Sequence, residues 1–152
     1  MRPEDQYHVG IVVDDLDAAK EFYSLSAGYR WCDEMSIENV FVNGDQETAV
    51  ALRFTYSREA PHIELVQSIP GTLFAASSPN VHHVGYWSDD IDKDIAALEK
   101  AGALLEGRGF WPDGRGPVWA YVTPPNGSRI ELVDKQAKPS MEQWWATGTR
   151  GG

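Results

Sequence analysis

The chain has only one cysteine, Cys32, and therefore cannot form a disulfide within itself. So little cysteine is typical of a reducing compartment, and we expect a cytoplasmic protein. The sequence also has no apolar run of the roughly 18 residues that a transmembrane helix needs. Its first ten residues, MRPEDQYHVG, contain no apolar stretch of the kind found in a secretory signal. We therefore expect neither a membrane span nor a signal peptide.

Positive charge is scarce as well. Lysine and arginine number 13 against 23 aspartates and glutamates, which gives a net charge of −10. Nucleic acids and anionic membranes are bound by basic surfaces, so the charge argues against both as partners and leaves a small-molecule substrate. A highly anionic substrate is also disfavoured, unless a few arginines are concentrated at one site.

Length and composition are those of a single globular domain, with 152 residues of which 42% are hydrophobic. We assign residues 1–135 to this domain and residues 136–152 to a C-terminal tail. The tail contains the pair Trp144-Trp145. Because two adjacent indoles are costly to leave in water, we expect the pair to pack onto the domain.

One phrase occurs twice in the chain. Residues 7–19 read YHVGIVVDDLDAA and residues 82–94 read HHVGYWSDDIDKD, with six of thirteen positions identical and a spacing of 75 residues. A second pair follows, HIELVQS at 62–68 and RIELVDK at 129–135. The order of the polar residues is therefore His8, Glu64, His83, Glu131. An internal repeat of this kind predicts two copies of one structural unit.

The pattern within each copy is that of a strand, a helix and further strands. Branched residues alternate after His8, and in both copies an aspartate pair suited to helix capping follows and apolar residues then recur at helical spacing. Strand-like segments separated by Asn-Gly turns complete each copy. We predict an α+β protein built of two βαβββ modules, residues 6–68 and 81–135, joined by a linker at 69–80 that contains one short helix.

Strand alternation assigns the repeated polar residues to one face. In a strand centred on Glu64, Ile63 and Leu65 point to the opposite face, where they can pack against helices. The same holds for Glu131 between Ile130 and Leu132. The two histidines and two glutamates would then face the hollow of the sheet.

Four such residues form a plausible metal site. Two imidazoles and two carboxylates without a thiolate suit a borderline or harder divalent ion, namely Zn, Ni, Co, Fe or Mn. The alternative is that each is a hydrogen-bonded structural residue, but the repeat preserves their order, face and neighbours together. We therefore predict His8, Glu64, His83 and Glu131 as metal ligands. Register with His8 selects His83 over the adjacent His82, and His62 is interpreted as a pocket or exposed strand residue.

These motifs resemble the vicinal oxygen chelate superfamily, which includes glyoxalases, bleomycin-resistance proteins and dioxygenases. HVGIVVDDLDAAKEFY at 8–23 is similar to its first strand and helix, and PPNGSRIELV at 124–133 to its closing turn and last ligand strand. The resemblance spans residues 6–134. It implies paired βαβββ modules that form a cupped, barrel-like mixed sheet around a metal, with the helices outside and the protein a homodimer.

Two families within the superfamily are most similar. The bacterial ligand set of glyoxalase I, His-Glu-His-Glu, matches His8, Glu64, His83 and Glu131 one for one. Methylmalonyl-CoA epimerase is similar over residues 71–105, although it commonly has glutamine in place of Glu64. Its additional catalytic glutamate would fall near Glu47, which is close to the required register without matching it.

Both resemblances imply removal of a proton next to a carbonyl, with a metal stabilising the oxyanion. Glu131 is the first candidate for the base and Glu64 the second. Glu47 is the candidate for a second acid in an epimerisation. The substrate would be a thioester or a 2-oxo compound.

Candidate substrate residues follow from the same face assignment. Trp87 lies two residues beyond Gly85 and either lines the pocket or belongs to the core. The segment 107–117, GRGFWPDGRGP, is interpreted as a mobile loop in which Arg108 or Arg115 meets an anionic group, or alternatively as a plain hairpin.

Two other functions remain open at this point. An extradiol dioxygenase generally uses two histidines and one carboxylate, so a fourth ligand speaks against it. A non-catalytic, drug-binding protein of the same fold would not need the intact ligand set.

Overall fold

The computed structural model describes residues 1–76 and 81–150. Within these ranges the chain forms three α-helices and eight β-strands. In chain order they are β1 Gln6–Val13, α1 Leu16–Ala27, β2 Met35–Asn43, β3 Gln46–Tyr56, β4 His62–Gln67, β5 Val81–Ser88, α2 Ile91–Lys100, β6 Leu104–Phe110, β7 Pro117–Thr123, β8 Ile130–Asp134 and α3 Lys138–Thr147.

The strands form a closed barrel with the order β1-β4-β3-β2-β6-β7-β8-β5. Strand pairs β1–β4 and β5–β8 are parallel, whereas β3–β4, β6–β7 and β7–β8 are antiparallel. This arrangement confirms the predicted α+β fold of repeated βαβββ modules with a barrel-like mixed sheet. Among the described residues, no helix combines the length and apolar character required to cross a bilayer.

Two compact units can be distinguished in the described chain. The first comprises Met1–Tyr7, Glu38–Val50 and His83–Lys138, and the second the described parts of 8–37, 51–82 and 139–152. In the first unit α2 packs on the sheet, and its buried core consists of Ile91, Ile95, Ala103, Ala120, Val122 and Leu132. In the second unit Val13, Leu16 and Leu65 form the buried core against which α1 packs, with Ile63 beside them.

The aspartate pairs cap both repeated helices, as predicted. Asp15 accepts a hydrogen bond from the amide of Ala18 at 2.9 Å, and Asp90 accepts one from the amide of Lys93 at 3.0 Å. A cap of this type is worth about 1 kcal/mol of helix stability. Gly28 ends α1 at φ 77°, a left-handed conformation that glycine adopts without steric cost. The caps thus fix where each helix begins relative to the strand that carries the histidine.

The segment 107–117 differs from the predicted loop. Strand β6 continues to Phe110, so Arg108 lies on a strand, and the plain hairpin is the alternative that the structure bears out. Glycine in this strand makes room for side chains, because a Cβ at Gly107 would lie 3.3 Å from the ring of Phe41 and one at Gly109 would overlap the indole of Trp119. The glycines therefore mark close packing within a strand.

The predictions for the C-terminal tail and for the linker between the modules had different outcomes. The tail forms α3, in which Trp144 and Trp145 are 1% and 8% exposed, so the predicted docking of the pair is confirmed. Residues 69–76 of the predicted linker contain turns and no helix. The rest of that linker, 77–80, lies outside the described residues.

Candidate metal centre

The first histidine and glutamate are brought together by the parallel pair β1–β4. In this register Gly10 lies opposite Glu64 and His8 opposite His62. His8 is 2% exposed and Glu64 is 6% exposed. Nε2 of His8 lies 3.7 Å from Oε2 of Glu64. The residue directly beside Glu64 on β1 is a glycine, which has no side chain.

The second histidine and glutamate repeat this geometry in the parallel pair β5–β8. Gly85 lies opposite Glu131, as Gly10 does opposite Glu64. His83 is 1% exposed and Glu131 is 6% exposed. Nε2 of His83 lies 3.4 Å from Oε2 of Glu131. The sequence repeat is therefore also a repeat of local structure.

The four buried residues His8, Glu64, His83 and Glu131 form a group that could hold a metal ion. One candidate ligand atom from each residue lies within 4.8 Å of the others. The structure thus brings together the four side chains that the repeat singled out.

The donor atoms fit a divalent ion in chemistry and in spacing. Bonds of about 2.0–2.2 Å to nitrogen and oxygen place two ligands of one ion about 3.0–3.5 Å apart. The two histidine–glutamate separations, 3.7 and 3.4 Å, are close to that range. Burying two carboxylates is expensive, and a dication would offset much of that cost. The residues present therefore fit such an ion, while the identity of the metal is not fixed by them.

Two tyrosines that the sequence reasoning missed accompany the two pairs. The ring of Tyr56 meets that of His8 edge-on at a centroid distance of 5.3 Å, and Tyr121 meets His83 in the same way at 5.2 Å. Each tyrosine lies opposite the glutamate of its pair in the antiparallel register, Tyr56 opposite Glu64 and Tyr121 opposite Glu131. The connections between Tyr56 and Glu64 and between Tyr121 and Glu131 differ in length, so no common signal in the sequence marks the two tyrosines.

Glu47 lies in β3 close to the turn that joins this strand to β2, and its side chain is exposed. The group of residues that could hold a metal does not include it. Its predicted role as a second acid stays a prediction.

Trp87 is buried, at 3% exposure, and stacks on Tyr7 with ring centroids 3.9 Å apart and planes inclined by 12°. A stacked aromatic pair at this distance adds to the packing energy of the indole. The placement is that of a packed aromatic in β5, and whether a substrate reaches it stays a prediction.

The two predicted arginines have different surroundings. Arg108 is partly buried and forms an ion pair with Asp92 of α2, with Nη1 2.7 Å from the carboxylate. Arg115 is exposed in the turn between β6 and β7, and its guanidinium lies 3.8 Å from the ring centroid of Trp111. Trp111 in turn donates to Asp134 at 2.7 Å, which fixes the indole below the arginine. Arg115 is therefore the more accessible of the two cations.

His62 and His82 each lie beside a predicted ligand. Nδ1 of His62 is 3.0 Å from the carbonyl oxygen of Ser57, and the imidazole stacks on Trp145 at 3.9 Å. Burial lowers the pKa of His62, although the hydrogen bond to Ser57 opposes that effect. Nε2 of His82 is 2.8 Å from the carbonyl oxygen of Leu73, and its ring stacks on Phe74. Neither histidine belongs to the group that could hold a metal.

Comparison with known proteins identifies similar chains. Residues 7–122 match the Glyoxalase/Bleomycin resistance protein/Dioxygenase superfamily. The uncharacterized protein YwbC of Bacillus subtilis (strain 168) is 28% identical over 130 residues, which cover 84% of this chain and 95% of that protein.

Solved structures of methylmalonyl-CoA epimerases share the fold. A variant of the Streptomyces coelicolor enzyme in complex with 2-nitronate-propionyl-CoA is 23% identical and has a TM-score of 0.56, with 88% of this chain and 95% of that chain covered. The Mycobacterium tuberculosis enzyme is 23% identical with a TM-score of 0.55, over 86% of this chain and 87% of that chain.

The family match covers most of the chain and includes the first histidine–glutamate pair and the second histidine. Together with the repeated βαβββ architecture, it shows that the chain belongs to the glyoxalase, bleomycin-resistance and dioxygenase superfamily, also called the vicinal oxygen chelate superfamily.

Proposed function

We propose that the protein is a divalent-metal-dependent isomerase or epimerase that moves a proton at the carbon next to a carbonyl, in a thioester or 2-oxo substrate. The observation that carries the proposal is the buried group of His8, Glu64, His83 and Glu131, with candidate ligand atoms within 4.8 Å of one another. The fold shared with methylmalonyl-CoA epimerases, one of them in complex with methylmalonyl-CoA, supports the reaction and substrate class.

A divalent ion held by these four residues would supply a Lewis acid that stabilises negative charge on the carbonyl oxygen. The proposed base is Glu131, which accepts the proton of the neighbouring carbon on a carboxylate oxygen, and Glu64 is the second candidate. Both carboxylates are 6% exposed. A proton held on either carboxylate would exchange with solvent over repeated turnovers, so that solvent deuterium can enter the substrate.

The destination of the proton separates the two reaction types. An isomerase returns it to the adjacent carbon, for which one carboxylate is sufficient. An epimerase returns it to the same carbon from the opposite face, which is best done by a second acid. Glu47 remains the candidate for that acid, and its exposed position in β3 would require the substrate to extend toward the β2–β3 turn.

Substrate binding is assigned to residues outside the ligand group. We assign recognition of an anionic substituent to Arg115, because its side chain is more exposed than that of Arg108, at 43% against 33%, and its ion pair with Asp113 is longer, at 3.5 Å, than the 2.7 Å pair of Arg108 with Asp92. Trp87 and His62 are the proposed walls of the pocket. The exposed Arg115 would give the local positive charge that an anionic thioester needs on a protein of net charge −10.

The first test is metal content. Protein purified without chelator should contain about one equivalent of Zn, Ni, Co, Mn or Fe, and His83→Ala should lower occupancy at least tenfold. His82→Ala is the matched control, since it removes a buried histidine one position away. Equal metal occupancy in both variants would show that His83 is not a ligand. No metal in the wild type, together with no thermal stabilisation by added metal, would favour a metal-free binding protein instead.

The second test is proton exchange. Incubation with acyl thioesters in deuterated water should introduce deuterium at the carbon next to the carbonyl, and Glu131→Gln should abolish the exchange. Absence of exchange across a broad panel of thioesters and 2-oxo compounds would contradict the proposed reaction. Oxygen consumption with catechols would instead identify an extradiol dioxygenase.

The quaternary structure is part of the same proposal. We expect a homodimer, which light scattering would detect as about twice the chain mass of 16.9 kDa. The cytoplasmic location stays a prediction from the cysteine content.

A further inference from the structure

Each histidine of the candidate metal centre has a tyrosine against its ring. The centroid distances of 5.3 Å for Tyr56–His8 and 5.2 Å for Tyr121–His83 agree, as do the interplanar angles of 70° and 65°. Both tyrosines are 4% exposed. The contact therefore repeats in distance, angle and burial, although the sequences around the two tyrosines, FTYSR and WAYVT, share nothing else.

The pairing of the strands explains why the tyrosine–histidine contact occurs in both modules. Tyr56 lies opposite Glu64 across β3–β4, while His8 lies on β1, the other neighbour of β4. Tyr121 lies opposite Glu131 across β7–β8, while His83 lies on β5, the other neighbour of β8. In each case the glutamate strand has the histidine strand on one side and the tyrosine strand on the other. The tyrosine ring therefore approaches the imidazole from the side of the carboxylate.

Each tyrosine is itself fixed by further aromatic side chains. Tyr56 lies 5.7 Å from the ring of Trp144 and 6.1 Å from that of Trp145, both in α3. Tyr121 lies 5.6 Å from the ring of Trp119 and 6.3 Å from that of Phe41. A ring held on several sides has few other rotamers available. The two tyrosines are rigid supports, although different elements supply their neighbours.

We propose that Tyr56 and Tyr121 are positioning residues for His8 and His83. Edge-on contact with a fixed aromatic ring restricts rotation of each imidazole about its Cβ–Cγ bond. Nε2 thereby stays directed toward the carboxylate of its own pair, and the ligand atoms are prearranged before an ion binds. This inference rests on the proposed metal-dependent function, because it concerns the same four ligands.

The test compares ring removal with hydroxyl removal. Tyr56→Phe and Tyr121→Phe keep the ring contact and should bind Co²⁺ within about threefold of wild type. Tyr56→Met and Tyr121→Met keep apolar volume but remove the flat ring, and Co²⁺ affinity should fall about 10- to 100-fold, as is typical when support of a ligand is lost. Affinity is measured by calorimetry, and the visible d–d absorption of bound Co²⁺ should change in intensity in the Met variants only.

Matched controls separate positioning from general loss of stability. Leu52→Ala and Val122→Ala remove buried apolar volume from β3 and β7 and leave the rings around Tyr56 and Tyr121 in place. These controls should lower the melting temperature while Co²⁺ affinity changes less than in the Met variants. Met variants that bind Co²⁺ as tightly as the controls would overturn the inference. Because each tyrosine tests its own histidine, a failure of one Met variant to fold leaves the other decisive.

Failure of the tyrosine assignment can be distinguished from failure of the proposed metal-dependent function. If wild-type protein binds no divalent metal, the proposed function fails and the inference with it. If wild-type protein binds Co²⁺ and the Met variants bind it equally well, only the assignment of the tyrosines is wrong.

Discussion

The backbone of Gly109 lies directly against the indole of Trp119 on the neighbouring strand, so that even a single added methyl group would overlap the ring. An indole packed between β6 and β2 has little room to move, since it also contacts Phe41 at a centroid distance of 4.5 Å. Glycine is therefore favoured at position 109 by a close side-chain contact and not by the conformation of a turn.

We expect Gly109→Ala to destabilise the protein by about 1–3 kcal/mol, the usual cost of overpacking. Urea unfolding followed by circular dichroism measures this loss. Gly114→Ala is a poor comparison because Gly114 has a φ of 75°, whereas Gly107→Ala is a fair one because its added Cβ would lie 3.3 Å from Phe41. Gly107→Ala should cost less, and equal stability of Gly109→Ala and wild type would show that Trp119 can move aside.

Single residues also mark the limit of sequence reasoning. Repetition in register identified His8, Glu64, His83 and Glu131, because identical neighbours placed each of them on a known strand and face. Tyr56 and Tyr121 have no shared neighbours, so repetition could not reveal them. Their common position depends on pairing between strands, which is a property of the folded sheet.

At the level of elements, α3 is the part that the repeat did not anticipate. The helix lies beyond the second module, and its Trp144 packs near Tyr56 and Phe54 of β3. Arg58 donates to the carbonyl oxygens of Trp145 at 3.2 Å and Ala146 at 2.6 Å near the C-terminus of the helix. A guanidinium at this end satisfies carbonyls that have no partner within the helix and interacts favourably with its dipole.

Trp144→Ala should lower the free energy of unfolding by about 3–5 kcal/mol, because it removes a ring that is 1% exposed. Gln143→Ala, on the exposed face of the same helix, is the control and should stay within about 0.5 kcal/mol of wild type. Urea denaturation of both variants makes the comparison. A small effect of Trp144→Ala would mean that the helix is not part of the cooperative unit.

The start of a helix was predictable where the residue that caps it is adjacent to it in the sequence. Asp15 and Asp90 cap the helix starts by their own chemistry, as predicted. The glycine content of 107–117 left a mobile loop and a plain hairpin open, so the continuation of β6 to Phe110 could not be predicted. The rings of Phe41 and Trp119 that require two of these glycines come from β2 and β7, so a local pattern could not reveal them.

For the whole molecule, acid stability depends on ion pairs such as the one that links α1, β3 and the segment before β2. Glu34 accepts hydrogen bonds from Lys20 and from Arg53, the latter at 2.6 Å. Burial alone would raise the pKa of Glu34, but the hydrogen bonds from Lys20 and Arg53 outweigh it and hold the pKa below its usual value. The unfolded chain therefore binds a proton at Glu34 more readily than the folded protein does.

The resulting stabilisation is fully present above the unfolded pKa of about 4.3 and is lost as pH falls through the lower folded pKa. Glu34→Gln should cost about 1 kcal/mol at pH 7 and much less at pH 3. The measurement is urea unfolding at both pH values, with Glu21→Gln on the exposed side of α1 as control. If Glu34→Gln lowers the free energy of unfolding equally at both pH values, the effect comes from packing and not from charge.

The architecture of the whole chain was the most predictable feature, because the repeat constrains both halves at once. Composition argued against nucleic-acid and membrane partners, and the repeated histidines and glutamates indicated a metal-binding member of the superfamily. Substrate identity was not predictable, because Trp87, Arg108 and Arg115 have no counterpart in the first module against which to compare them.

The cluster of Trp144, Trp145 and Tyr56 beside His8 gives the protein a built-in optical reporter. Trp144 and Trp145, two of the six tryptophans of the chain, are buried, and Trp144 is one aromatic contact away from an imidazole of the metal centre. Occupancy of that centre could then be followed by intrinsic fluorescence, in unlabelled protein and without a known substrate.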